Sequence, residues 1–221
     1  MEKIIERLRN RDIRFLDKPE DDDPYAMIFV VNDDKNKTLY NDDVLNAVTT
    51  ATLRMVTSER HQEAVDAWLE QRIRKLVKRA RNNQWDALES IPHIEVEFNS
   101  AIVRVFPPMR VSEVPQEIRR LQLTGLNTEP NATSLPEPGS LLITLNSALT
   151  MTIGKAAAQT GHAAQLFLMK GDERKVEEWI EAGYPLSFAT GPVNPAAEIQ
   201  VHDAGFTEVE PNSLTTTADL L

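Results

Sequence analysis

Residues 140–145 read SLLITL, and residues 151–164, after a short polar turn, read MTIGKAAAQTGHAA. The first stretch is an apolar, partly β-branched run of strand length. The second opens a helix that we expect to extend from Gly154 to Met169. Gly154 permits a tight turn, and small alanine side chains let the helix lie close to a sheet. A strand followed by a closely packed helix predicts an α/β fold here.

The elements that follow this helix predict the rest of one small domain. A charged helix is expected from Asp172 to Ala182, and short strands are expected around residues 186–188, 199–201 and 214–218. Residues 140–221 should therefore form a small mixed β-sheet with helices on both faces.

The preceding chain predicts a second α/β region, residues 1–122, with two long helices and a β-hairpin. Residues 26–31 form a continuous apolar strand, a first helix runs to about Thr57, and a second starts at Ser58. The hairpin strands are 94–98 and 102–106, which alternate apolar and charged residues. The apolar stripe of the second helix repeats at three- and four-residue steps through Val65, Trp68, Leu69, Ile73, Leu76 and Ala80.

A linker is predicted at residues 123–139, where the composition changes to Gly, Asn, Thr, Ser and Pro. The parts on either side share the order strand, helix, helix, strand. No aligned residue identities accompany this order, which is common in α/β proteins.

The charge of the chain limits its partners. The formal net charge of -10 argues against indiscriminate nucleic-acid binding. Residues 72–81 nevertheless carry six positive charges and no negative one, and we place them on the second helix as a basic face. That face predicts contacts with tRNA phosphates, with a solvated helix face as the alternative. The residues concerned are Arg72, Arg74, Lys75, Lys78, Arg79 and Arg81.

Several classes are excluded or disfavoured by what the sequence lacks. No apolar run approaches the ~20 residues of a membrane span, and the first residues are not those of a signal peptide. Without cysteine there is no disulfide, thiol nucleophile or thiolate site. No His, Asp and Glu cluster has zinc spacing. We therefore expect a cytoplasmic protein with no membrane partner, no metal and no cofactor.

Three polar residues share one face of the alanine-rich helix. Lys155, Gln159 and His162 lie four and three residues apart, near a helix N-terminus that favours an anion. A nucleotide P-loop is excluded, because the upstream glycine is missing and Ala156 stands where a hydroxyl residue would hold magnesium. The alternative is a packing helix with a solvated lysine.

A second motif lies near the end of the chain, where residues 202–215 read HDAGFTEVEPNSLT. Together the two segments resemble the type-2 peptidyl-tRNA hydrolase family, over about residues 140–219. The first motif matches at Gly154, Lys155, Ala157, Ala158, Gln159, His162 and Ala163. The second matches at Asp203, Ala204, Gly205, Thr207, Pro211 and Thr215.

The resemblance implies hydrolysis of the ester between a peptide and tRNA. Lys155 would stabilise negative charge, Asp203 would position or deprotonate water, and Thr215 completes the expected catalytic set. Residues expected to bind or orient the substrate are Gln159, His162, Gly205 and Thr207. For His162 a packing or hydrogen-bonding role is favoured over catalysis.

The chain departs from the family pattern at Ala148, Phe206, Glu208 and Asn212. These departures, with the large N-terminal region, leave open a non-catalytic protein that binds tRNA or a partner, and an interaction adaptor. The resemblance also implies a homodimer, unless the N-terminal region occupies the same surface as an internal pseudo-dimer.

Overall fold

The computed structural model describes residues 2–11, 22–131, 135–205 and 207–221. Residues 12–21, the middle of the predicted linker and Phe206 lie outside this range. The N-terminal elements are α1 (Glu2–Arg9), β1 (Tyr25–Asn32), α2 (Asn41–Val56), α3 (Gln62–Leu69), β2 (Lys75–Ala80), α4 (Asn83–Asp86), β3 (Ile94–Phe98), β4 (Ala101–Arg110) and α5 (Gln116–Arg119). The C-terminal elements are β5 (Leu141–Asn146), α6 (Ile153–Lys170), α7 (Glu173–Glu181), β6 (Leu186–Gly191), β7 (Ile199–His202) and β8 (Leu214–Leu220).

The basic segment 72–81 is not helical, and this part of the prediction is wrong. Helix α3 ends at Leu69, and Lys75–Ala80 form β2, which pairs in parallel with β1. The Trp68 indole Nε1–H donates to the carbonyl of Arg74 at 3.2 Å, across the turn between helix and strand. Apolar residues at three- and four-residue steps fit a helix, but pairing with a distant buried strand decides the structure.

Two four-stranded sheets share one topology. Their strand orders are β2-β1-β4-β3 and β6-β5-β8-β7, and in each the first two strands are parallel and the other pairings antiparallel. The parallel ladders end alike, at Asn32 with Ala80 and at Asn146 with Gly191. The order common to both parts of the sequence therefore folds into two units of the same topology, an N-terminal and a C-terminal unit.

The two units pack through their central helices, α2 and α6. At this contact the Thr49 and Thr160 hydroxyls lie 2.9 Å apart and both are buried. A Cβ placed on Gly161 would lie 2.6 Å from the Thr52 hydroxyl, so glycine is needed for this approach. One hydrophobic core runs through both units and includes Phe29, Val48, Ile143 and Phe167.

The mixed α/β class is confirmed, with one refinement for the C-terminal sheet. Leu141 and Ile143 are buried on the face that α6 covers, whereas Leu142 and Thr144 on the opposite face are half-buried. Of the described helices of this unit, α6 is the one that packs on the sheet, and it covers the apolar face. Within the predicted linker, Glu129 is attached to the N-terminal unit by backbone hydrogen bonds with Leu39 and Asn41.

Among the described helices, none is both long enough and apolar enough to cross a bilayer.

Candidate active site

The first turn of α6 is fixed by a carboxylate from a distant loop. Thr152 caps the helix by accepting from the backbone N–H of Lys155 at 3.3 Å. Glu208 in turn accepts from the Thr152 backbone N–H at 2.8 Å and from its hydroxyl at 2.9 Å. A negative charge is favourable at a helix N-terminus. The departure at Glu208 therefore has a structural role, which is to join the loop of residues 203–213 to α6.

Three donors converge on the carboxylate of Asp203. The Lys155 ammonium lies 2.6 Å from Oδ2, and the Gln159 amide donates to the same oxygen at 2.8 Å. The backbone N–H of Gly205 donates to Oδ1 at 2.8 Å. The Lys155 and Asp203 side chains are 9% and 8% exposed, so a buried ion pair forms at the start of α6.

The loop that carries Asp203 has positive φ at three residues, Gly205, Glu208 and Asn212. Gly205 has φ +77°, and a Cβ there would lie 2.5 Å from the Pro211 side chain. Asn212 has φ +66° and donates its backbone N–H to the carbonyl of Asp203 at 2.7 Å. Asparagine tolerates this conformation better than most residues. Asn212, one of the four departures from the family pattern, is thus compatible with the turn.

A β-bulge directs Thr215 towards the site. In the pairing of β7 with β8, Val201 pairs with Thr216 and His202 pairs with Leu214, so Thr215 is the extra residue. The Thr215 hydroxyl donates to the Gln159 side-chain oxygen at 2.6 Å. Thr215 is fully buried behind Gln159 and is not among the residues that line the cleft. It supports Gln159, which in turn holds Asp203.

These residues line a cleft of about 430 Å³ between the two units. Lys155, Gln159, His162, Asp203 and Thr207 form its C-terminal wall. The N-terminal unit contributes the opposite wall, which is largely apolar, through Ala26, Ile73, Leu76, Val77 and Val111.

The basic residues of segment 72–81 divide into two groups. Arg72, Arg74 and Lys75 line the cleft. Lys78 instead donates to the backbone carbonyls of Arg119 and Leu121, at 3.2 and 2.8 Å. Arg79 and Arg81 both form ion pairs with Asp33. A continuous basic face is therefore absent from this described segment, but three of its cations are at the candidate site.

His162 contacts one of these cations. Its Nδ1 lies 3.0 Å from the ammonium of Lys75, which comes from the other unit. Burial, and next the positive charges of Lys75 and Lys155, hold the pKa of His162 well below its usual 6.5. The ring is therefore neutral at physiological pH.

Comparison with known proteins gives no assignment: no family model, curated protein or solved structure matches this chain. The site consequently rests on its own geometry. Lys155, Gln159 and His162 could be grouped from helical spacing, and Asp203 and Thr215 from the resemblance. Lys75 was predicted only as part of a basic helix face that contacts tRNA, and Glu208 only as a departure from the family pattern. Their places in this site follow from the packing of the units and the course of the loop, which the sequence does not show.

A second cleft, of about 680 Å³, lies at the starts of α2 and α6. It is lined by residues 123–129 of the predicted linker, and by Asn146, Thr152 and Gly154. None of the predicted catalytic residues lines it, so the smaller cleft is the candidate active site.

Proposed function

We propose that the cleft between the units hydrolyses the ester that joins a peptide to the terminal ribose of tRNA. The observation that carries this proposal is the Lys155–Asp203 pair, 2.6 Å apart at the mouth of an alanine-rich helix and on the wall of a cleft. These two residues come from the two separate motifs of the resemblance.

The free hydrogen-bonding positions of Asp203 suit a water molecule. A carboxylate has about four acceptor positions. Among the described residues, Lys155, Gln159 and Gly205 occupy three of them. The remaining position on Oδ1 can accept from a water, orient it and receive its proton as it attacks the ester carbon.

The oxyanion that forms at the ester carbonyl is stabilised by the Lys155 ammonium and by backbone N–H groups in the first turn of α6. Lys155 uses one N–H on Asp203 and makes a longer contact of 3.5 Å with the Thr207 hydroxyl, so within the described part of the chain a third N–H remains for the substrate. The Lys155 backbone N–H of this turn already donates to Thr152, so the N–H groups of Ile153 and Gly154, which have no intrahelical acceptor, are the ones that favour negative charge. Such donors act strongly where water is excluded.

The opposite wall suits the two ends of the substrate. Arg72 and Arg74 can contact phosphates at the 3′ end of tRNA, while Ile73, Val77 and Val111 offer apolar surface to the peptide. The net charge of -10 makes these few cations important for affinity, because phosphate contacts supply most of non-specific binding.

Release of labelled peptide from peptidyl-tRNA tests the proposal. Lys155→Ala should lower kcat by about 100- to 1,000-fold, the usual loss when an oxyanion donor is removed. Lys170→Ala is the matched control, since Lys170 lies in the last turn of the same helix and its loss changes the net charge equally. A Lys155→Ala protein that releases peptide as fast as the control would refute the assignment.

A non-catalytic tRNA-binding protein is the second candidate. This candidate is favoured because Lys155 and Asp203 form an ion pair with each other and each side chain is less than one tenth exposed. Such a protein would bind peptidyl-tRNA without releasing peptide. Binding and release measured on one sample separate the two candidates.

A further inference from the structure

Lys75 is a buried lysine that crosses from one unit to the other. It belongs to β2, an edge strand of the N-terminal sheet, and only 7% of the residue is exposed. Its ammonium lies 2.6 Å from the Gln165 side-chain oxygen and 3.0 Å from His162 Nδ1, both on α6. It also lies 5.0 Å from the centroid of the Trp68 ring.

The partners of Lys75 are all neutral. Among the described residues no carboxylate lies within ion-pair distance of its ammonium, and burial lowers the pKa of Lys75 well below 10.5. Replacement by an apolar residue would remove this desolvation cost. A lysine at this position therefore calls for a role other than stabilising the fold.

The hydrogen bonds of Lys75 determine the tautomer of His162. The ammonium is a donor only, and the Gln165 oxygen is an acceptor only. With Nδ1 accepting from Lys75, the single proton of the neutral ring resides on Nε2. His162 then presents an N–H donor on the other edge of the ring, on the helix face that also carries Lys155 and Gln159.

Among the described residues, the other charged groups of the cleft are compatible with this tautomer. Lys155 on α6 opposes protonation of the ring, and Arg72 and Arg74 line the same cleft. Asp203 is already bonded to Lys155. His202 and Glu208 line the same cleft, and Glu208 is bonded to Thr152.

We propose that Lys75 is a positioning residue, supplied by the N-terminal unit, that fixes His162 as a neutral Nε2–H donor to an oxygen of the substrate. The identity of that oxygen, a ribose hydroxyl or an ester carbonyl of peptidyl-tRNA, rests on the proposed function. The fixed tautomer does not.

Histidine nitrogen and carbon NMR shifts of the full chain test the tautomer directly. The chain has four histidines, so His162→Asn identifies the resonance. We expect the Nε2–H form, with no titration near the ordinary pKa of about 6.5. In Lys75→Met the pKa of His162 should rise and the Nδ1–H form should appear. Lys78→Met is the matched control, a second buried lysine of β2 whose partners are backbone carbonyls away from the cleft.

The Nδ1–H form in the unaltered chain would overturn the proposal, whether or not Lys75→Met folds. So would a Lys75→Met protein whose His162 tautomer and pKa match those of Lys78→Met.

Kinetics on peptidyl-tRNA give the second readout. Loss of one oriented hydrogen bond should raise KM about fivefold in Lys75→Met, with a smaller effect on kcat, while Lys78→Met stays near the parent. If Lys75→Met changes the tautomer of His162 but none of the proteins hydrolyses peptidyl-tRNA, Lys75 still positions His162 and the proposed function is refuted. A changed tautomer with KM equal to that of Lys78→Met would refute the substrate-binding role of His162.

Discussion

Thr215 and Thr216 are adjacent in β8 and both fully buried, but their hydroxyls differ in bonding. Thr215 donates to Gln159 and also contacts the carbonyl of Val201, whereas the Thr216 hydroxyl has no partner among the described residues. The bulge causes the difference, since it turns both side chains towards α6 and only one reaches an acceptor.

This difference predicts that the same substitution has different effects on stability at the two positions. Thr215→Val leaves the Gln159 oxygen unsatisfied and should lower the free energy of unfolding by about 1–2 kcal/mol, with a lower kcat. Thr216→Val removes an unbonded buried hydroxyl and should leave stability unchanged or raise it by about 1 kcal/mol. Urea unfolding measures both, and Thr215→Ser should restore the activity. Equal effects of the two valines would contradict the bonding described.

His162 predicts how stability depends on pH. Its pKa in the folded protein is well below 6.5, through burial and then Lys75 and Lys155, and in the unfolded chain it is about 6.5. Below pH 6.5 the unfolded chain therefore binds a proton that the folded protein does not. Stability should fall as pH falls through this window, by up to about 1.4 kcal/mol per pH unit from this group.

Replacement of His162 removes that contribution. Between about pH 7.5 and about pH 5.5, His162→Asn should lose about 1 kcal/mol less unfolding free energy than the parent. Urea unfolding at the two pH values gives the comparison. Identical losses in the two proteins would mean that His162 is protonated in the folded state.

At the scale of elements, sequence periodicity predicted α6 and the hairpin of β3 and β4 well but misassigned β2. The local pattern of apolar residues is enough to predict an element when it fits only one helix face or only one alternating strand. In segment 73–80 the residues Ile73, Leu76 and Ala80 satisfy helical spacing, while Leu76–Val77 also suit a strand. The parallel pairing with β1, more than forty positions earlier, decides between them and leaves no local trace.

The candidate site was predictable to the same extent. Lys155, Gln159 and His162 share a helix face because they are spaced four and three residues apart, and this spacing is visible in the sequence. Asp203 came only from the resemblance, since Asp-Ala-Gly alone is an ordinary turn. Lys75 enters from a strand of the other unit, and no spacing along the chain connects residue 75 with residue 162.

At the scale of the whole molecule, the two units share a topology but only one has the site. Ile94 pairs with Val105 as Ile199 pairs with Ala218, and four residues further on stand Phe98 and Asp203 respectively. The N-terminal unit closes this end with the tight turn Asn99–Ser100, whose serine donates to Asp43 at 2.6 Å. It therefore lacks the long loop and its carboxylate, and serves as a wall of the cleft.

This division of roles predicts the behaviour of a chain that begins at Gly139. Such a fragment keeps Lys155, Gln159, Asp203 and Thr215, but it exposes the face of α6 that packs on α2 and loses the wall containing Lys75. We expect hydrolysis to fall by about a hundredfold, as when reacting groups are misplaced, and the fragment to self-associate. Adding residues 1–138 as a separate chain should restore hydrolysis and prevent the self-association. Peptide release measures the first effect and light scattering the second. A monomeric fragment with the full rate would show instead that the N-terminal unit contributes nothing to the site.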